Sequence, residues 1–251
     1  MKMTKLFTTV FDEELKSRGF KRKARLYYRL NGDILQGVII KTVNPYTIHF
    51  YSAPYWMENI QADLFPLYKG YWAENGSSIG SALYYREENE QINLDQMNAF
   101  LTIAKTHILP VLDRMCDLKS YIENCTPNWQ GFDQKMRGQA FIECSPNDVG
   151  EEYSHLEFSF HMVWYLWNMY TYSAFLKYAC EEENLQNGYD LLDEKSSLMP
   201  VQWGCKKTAQ KEYMQYMTDD GLTRAKQYFE DRREEMLPRL RDELGLDTFN
   251  L

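Results

Sequence analysis

An α+β fold is predicted for this chain of 251 residues: a short antiparallel β-sheet packed by helices, followed by a mostly helical C-terminal half. Three observations carry the prediction. Apolar residues recur at helical spacing in three well-separated stretches. Short alternating runs bounded by turn residues lie between the first two of them. No regular series of strands alternating with helices occurs, as a parallel α/β sheet would require. The elements fall into a unit over 1–120 (helix, hairpin, two further strands, long helix) and a mainly helical unit over 121–251.

Leu6, Phe7, Val10, Phe11 and Leu15 mark a first helix over about 4–18, with Lys16 and Arg18 at its negative pole and Gly19 as its stop. "KARLYYRLNGDILQGVIIKT" follows. Asn31-Gly32 is a strong hairpin signal, and a two-residue loop there pairs Leu30 with Asp33 and Tyr28 with Leu35. One face then carries Ala24, Leu26, Tyr28, Leu30, Leu35 and Ile39, which suits a core against a helix. The other sets Lys23, Arg25, Tyr27 and Arg29 beside Ile34, Gln36, Val38 and Ile40, a partly covered basic-aromatic strip. "YTIHFYSA" (46–53) and "IGSALYYRE" (79–87) read as a third and fourth strand. Leu94, Met97, Leu101, Ala104, Ile108, Val111 and Met115 define a long helix with an Asn93/Gln96 capping box and a kink at Pro110.

In the second half, 202–217 and 222–244 read as helices. Over 154–162, Leu156, Phe158, Phe160 and Met162 alternate like a strand, while Ser154 and Glu157 fit a helix cap; both readings stay open. From about 163 onward, Val163, Trp167, Tyr170, Ala174 and Tyr178 favour a helix. "GFKRKAR" (19–25) is similar to "GFDQKMR" (131–137), and "LPVL" (109–112) to "LPRL" (237–240). The offsets differ, so a duplication would need an insertion.

Hydrophobic residues make up 44% of the chain and aromatic ones 15%, enough for a sizeable core without staples. No run of about 18 apolar residues occurs, so no membrane span is expected. The N-terminus reaches Asp12-Glu13-Glu14 without a long apolar core, and a cytoplasmic location is expected. The five cysteines include no C-x-x-C pair and read as free, buried thiols. Net charge is −8, but residues 1–30 hold nine Lys/Arg and three Asp/Glu. That leaves a basic start of +6 and a remainder of −14, a polarity that suits ion pairing between the two or with a partner chain.

The stretches "LKSRGFKRKARLYYRLNGDILQGVIIKT", "YTIHFYSA", "SSIGSALYY" and "HILPVLDRM" make the first 115 residues resemble a bacterial family known as domain of unknown function 4304. Its pattern is a helix, a Gly-Phe-Lys-Lys-like turn, a Tyr-Arg strand, a Gln-containing aliphatic strand, and later an Ile-Gly strand and a Leu-Pro helix. Gly37-Val38-Ile39 departs from it, standing where longer aliphatics and another Gln are usual. The resemblance implies a small α+β unit and a bacterial source. It implies no catalytic residue, and it does not reach 116–251.

Gly76-Ser77-Ser78-Ile79-Gly80 matches G-x-S-x-G, the turn that holds a nucleophilic serine between a strand and a helix. Here a strand follows instead, so Gly76-Ser77-Ser78 is expected to be a turn leading into it. His155, Glu157 and His161 lack zinc-ligand spacing, and no phosphate-binding glycine loop is present, so no metal and no cofactor are expected. The candidate interaction surface is Arg25, Tyr27 and Arg29 from the basic strip, with Tyr55, Trp56, Tyr71 and Trp72 from the aromatic connection 53–72. Acidic balance, aromatic surplus and the lack of a coherent catalytic set point to a non-enzymatic protein-binding or regulatory module, such as one that neutralises a toxin. The alternative is a small-ligand binder or enzyme with an aromatic pocket between the halves, to which His49, His155, Glu157 or Arg25 would contribute. Single-stranded nucleic acid on the basic hairpin is a lesser alternative, disfavoured by the acidic chain.

Overall fold

The computed structural model describes residues 2–41, 46–56, 77–83, 89–124, 140–144, 149–156, 160–165, 171–197 and 204–245. Its centre is a seven-stranded antiparallel sheet. The strands are β1 (Lys21–Lys23), β2 (Leu26–Asn31), β3 (Ile34–Lys41), β4 (Tyr46–Pro54), β5 (Ser77–Leu83), β6 (Ala140–Cys144) and β7 (Phe160–Tyr165), in the order β1-β2-β3-β4-β5-β7-β6. The helices are α1 (Met3–Ser17), α2 (Glu90–Ile103), α3 (Leu109–Arg114), α4 (Leu118–Asn124), α5 (Tyr172–Glu181), α6 (Leu185–Ser197), α7 (Gly204–Met214) and α8 (Gly221–Leu244). The fold is α+β as expected, and the later half lends the sheet two strands.

The first helix ends where its glycine predicts. Gly19 has φ +81°, its N–H bonds Lys16 O, and the N–H of Phe20 bonds Leu15 O. This paired closure needs a left-handed residue, which glycine adopts without a Cβ clash.

The hairpin register differs from the expected one by one turn position. Asn31 pairs with Ile34, Leu30 with Leu35 and Tyr28 with Gly37, so the loop is Gly32-Asp33. Asn31 stays in the strand because its amide donates to the carbonyls of Asp113 and Met115 at the end of α3. Gly32, at φ +56°, takes the left-handed position beside the Cys116 carbonyl, where a Cβ would lie 1.7 Å from that oxygen. Each pair shifts by two residues, so the two face sets are as expected.

Their coverage is not. Helices lie on both faces. Tyr27, on the basic-aromatic face, is fully buried, its ring edge-on to Phe7 of α1 with centroids 5.6 Å apart, and Phe100 of α2 packs against Phe11 and Phe50. The opposite face meets α8, where the Tyr28 hydroxyl donates to Leu244 O at 2.9 Å. The strip itself is also cut in two. The chain turns at Ala24-Arg25, Ala24 has φ 55°, and Lys23 pairs with Leu26. Lys21, Arg22 and Lys23 thus form a separate, exposed edge strand, a charged edge that discourages strand addition.

The long helix is segmented. Its cap is Asn89, whose side chain accepts from the Ile92 N–H at 3.1 Å; Asn93, expected as the cap, is buried inside α2. A π-helical turn over Ala104–Ile108 separates α2 from α3, and Pro110 sits in the first turn of α3. Proline has no N–H to offer and crowds the carbonyl four residues back, so a widened turn precedes it.

Residues 160–165 form strand β7 instead of the helix expected from about 163, and α5 begins at Tyr172. Val163 is flanked by Gly80 of β5 on one side and Phe141 of β6 on the other. Pairing on both sides outweighs the coincidence of helical spacing, since strand preference depends on tertiary context. Beyond β7, α5 packs against α4, α6, α7 and α8.

Candidate functional site

One cavity of about 380 Å³ lies where the tip of the β2–β3 hairpin and the end of β4 meet α5 and α8. Its floor is aromatic. Tyr55 continues the alternation of β4 and is held by its N–H to Asp33 O at 3.0 Å. Trp56 follows, its carbonyl accepting from Arg232 Nε at 3.3 Å, and its ring stands edge-on to Phe229 with centroids 4.9 Å apart. All three rings are buried.

The charged rim comes from helix periodicity. Lys226, Phe229, Glu230 and Arg233 are three, four and seven residues apart along α8, one stripe of its surface. Lys177 and Cys180, three apart, present the matching stripe of α5, and Asp33 closes the hairpin side. Lys177 Nζ stands 5.8 Å from the centre of the Phe229 ring. Lys226 Nζ bonds Glu183 at 2.7 Å, and Lys177 lies 3.5 Å from Glu181, both carboxylates outside the lining. Three cations and two carboxylates line the cavity, and Glu181 and Glu183 beside the two lysines offset the excess of positive charge.

Two titratable groups in the wall stay protonated at neutral pH. Burial pushes the Cys180 thiol up to about 11, against the pull of Lys177 and Lys226. Burial, with Asp33 adding to it and Arg233 opposing, pushes the Tyr55 phenol up to about 12. Neither is an activated nucleophile, because catalysis needs the anion available near the working pH.

Of the residues singled out from the sequence, Tyr55 and Trp56 belong to this cavity. Tyr27 and Arg29 face α1 and α3 in the interior. The Tyr27 hydroxyl donates to Asp12 at 3.0 Å. Arg29 donates to Asp113 at 2.6 Å, to Arg18 O at 2.6 Å and to Gln36 at 2.8 Å, with its guanidinium 4.4 Å above the Phe20 ring. Arg25 lies in the β1–β2 turn, half-buried. Tyr71 and Trp72 lie outside the described residues, as do Glu157 and segment 131–137. His49 sits within β4, and His155 bonds Asp95 of α2 at 2.9 Å, so these histidines do not converge on the cavity.

Lys177, Cys180, Lys226, Phe229, Glu230 and Arg233 were missed. Their helical spacing was visible in the sequence, but nothing there said that α5 and α8 meet over Trp56. Ser78, the serine of G-x-S-x-G, lies inside β5 between Tyr51 and Tyr165 of the neighbouring strands, so no strand-to-helix elbow holds it. Among the described residues no group of three or more His, Cys, Asp and Glu could hold a metal ion, and no helix is long and apolar enough to cross a membrane.

Among the described residues, Lys16, Arg18, Arg22 and Arg29 of the basic start pair with Asp12, Glu14 and Asp113, acids of the first half. Arg18 bonds Glu14 and Asp113, Lys105 reaches Glu14 at 3.0 Å, and Lys16 and Arg22 reach Asp12 at 2.7 and 3.1 Å. No protein-family model, curated protein or solved structure matches the chain, so the resemblance of residues 1–115 to domain of unknown function 4304 rests on the motifs quoted for it.

Proposed function

We propose that the chain is a small-molecule-binding protein without catalytic chemistry of its own, and that the cavity over Trp56 is its site. The carrying observation is the cavity itself: a buried aromatic floor under a rim of converging charged groups. Its volume falls at the lower end of the range for small-molecule sites, which combine apolar walls with a few placed polar groups. Burial keeps Cys180 and Tyr55 protonated, so neither offers a nucleophile to the cavity. A cytoplasmic location is part of the proposal and is in keeping with free thiols at Cys180, buried as expected, and at Cys116, which is exposed instead.

The test is a ligand-observed NMR screen of neutral and charged ring fragments against the full chain, repeated on Phe229→Ala. Saturable binders that Phe229→Ala weakens, with its fold checked by circular dichroism, are expected. A screen without binders would overturn the reading.

A second reading, a protein-binding or regulatory module, is favoured by the charge of −8, which suits a basic partner protein. Tyr55 and Trp56 are buried beneath α8 and supply no exposed anchor for it. A purified basic partner that binds stoichiometrically, with affinity falling steeply as salt rises, is what this reading expects.

A further inference from the structure

We infer that the cavity takes a small organic cation, an ammonium or guanidinium group on a compact aliphatic body, drawn by the carboxylates of Asp33 and Glu230. The inference rests on the reading of the cavity as a ligand site and names that site's ligand class.

The charged residues of the lining differ in what already holds them. Lys177, Lys226 and Arg233 stand against Asp33 and Glu230, which by itself would suit an anion. The partners of the lysines reverse that sign. Lys226 Nζ lies 2.7 Å from Glu183 and Lys177 Nζ 3.5 Å from Glu181, and neither glutamate lines the cavity. Arg233 is engaged as well. The two carboxylates of the lining are not: among the described residues, no ion pair or side-chain hydrogen bond takes Asp33 or Glu230. With the two outer glutamates included, three cations meet four carboxylates, and one negative charge is left unmatched. The chain as a whole, at −8, adds to the same sign. One unmatched negative charge suits a ligand with one positive charge.

The two free carboxylates come from opposite walls. Asp33 stands at the hairpin tip, where its carbonyl accepts from the Tyr55 N–H at 3.0 Å, and Glu230 follows Phe229 along α8. A carboxylate only accepts hydrogen bonds, and an ammonium or guanidinium group only donates them, so a bound cation gives either acid the charged partner it lacks. Both side chains are exposed, so water and salt screen the attraction and its effect is modest. The apolar walls decide the body of the ligand. Tyr55, Trp56, Phe229 and Cys180 are only 3–7% exposed, so they border the cavity with edges and offer no open ring face. Edges of that kind suit a compact aliphatic group that fills space, and about 380 Å³ is ample for one.

The experiment is an NMR titration of the isotope-labelled full chain, read at the Trp56 indole N–H, with cyclohexylmethylamine, its neutral counterpart cyclohexylmethanol and its anionic counterpart cyclohexylacetate. The amine is expected to bind about fivefold more tightly than the alcohol, and the acid more weakly than either, with the advantage of the amine shrinking as salt rises. Asp33→Asn and Glu230→Gln each weaken the amine about threefold and leave the alcohol unchanged, a readout that a folding defect would not give. Both replace exposed side chains outside the ion pairs, so the fold tolerates them. Lys226→Met leaves Glu183 unmatched and strengthens the amine, a change opposite in sign to damage. Equal binding of amine and alcohol, or tighter binding of the acid, would overturn the ligand class and leave the site reading standing. Amine binding indifferent to both carboxylate substitutions would overturn the role of Asp33 and Glu230. If none of the three probes moves the Trp56 signal, the inference fails, and the fragment screen separately decides the site.

Discussion

Asp113 shows how single residues hold the two ends of the first 120 positions together. Its carboxylate takes Arg29 on one oxygen and Arg18 on the other, and Arg29 is almost withdrawn from water, its side chain 11% exposed. Burial pulls the Arg29 pKa down, and Asp113 is the charge that opposes it. Beside it Gln36 donates to the Leu112 and Met115 carbonyls at 2.6 and 3.1 Å, satisfying acceptors that the end of α3 leaves open. Replacing Asp113 by Ala strands a largely buried guanidinium, and we expect a loss of about 2–4 kcal/mol by urea denaturation. A loss under 1 kcal/mol would show that Arg29 finds another partner.

The pairs on α1 set an acid limb. Burial raises the Glu14 carboxyl, but hydrogen bonds from Arg18 and Lys105 outweigh it and hold the group below its ordinary 4.5; the hydrogen bond from Lys16 leads in holding Asp12 below 3.8. Depressed carboxylates contribute stability that is fully present above their unfolded values and lost as pH falls through the folded ones. Denaturation midpoints should therefore be level from pH 7 to about 5 and fall below pH 4.5. Glu14→Gln should flatten that fall; an unchanged slope would remove Glu14 from the account.

At the scale of elements, what could be read from the sequence divides by range. The end of α1 at Gly19, the identity of the hairpin faces and the span of α8 were legible, because glycine conformation, two-residue alternation and helical spacing are local properties. The loop position in the hairpin was not, because Asn31 is held by carbonyls more than eighty residues away. Strand β7 was not, because two distant strands make it one. The same distinction separates Tyr55 and Trp56, singled out as aromatic residues of an interaction surface but buried in the fold, from the α5 and α8 residues, which matter only once the helices meet. For β7 we expect Cα secondary shifts of strand sign over 160–165 and a cross-peak between Val163 and Gly80 in NMR spectra of the full chain. Helical shifts there would contradict the sheet order.

At the scale of the molecule, the sheet is a partition. On one side α1, α2 and α3 bury Tyr27, Phe50 and Arg29; on the other, α8 closes over Tyr28 and Trp56. The cavity lies at the hairpin tip, where the end of β4 meets α5 and α8, so its lining joins residues from both halves of the chain. That junction is the physical basis for proposing a ligand site: binding there would bridge β4 to α5 and α8, and ligands that bind the folded state alone raise its stability.

The most direct measurement is a titration of the 15N-labelled full chain with a binder taken from the fragment screen, followed through the Trp56 indole N–H, the Arg233 side-chain N–H and the amides of 177–180. The account predicts saturable shifts clustered on these signals and a higher melting temperature at saturation. Shifts confined to the exposed β1 edge, or no saturable shifts at all, would contradict it.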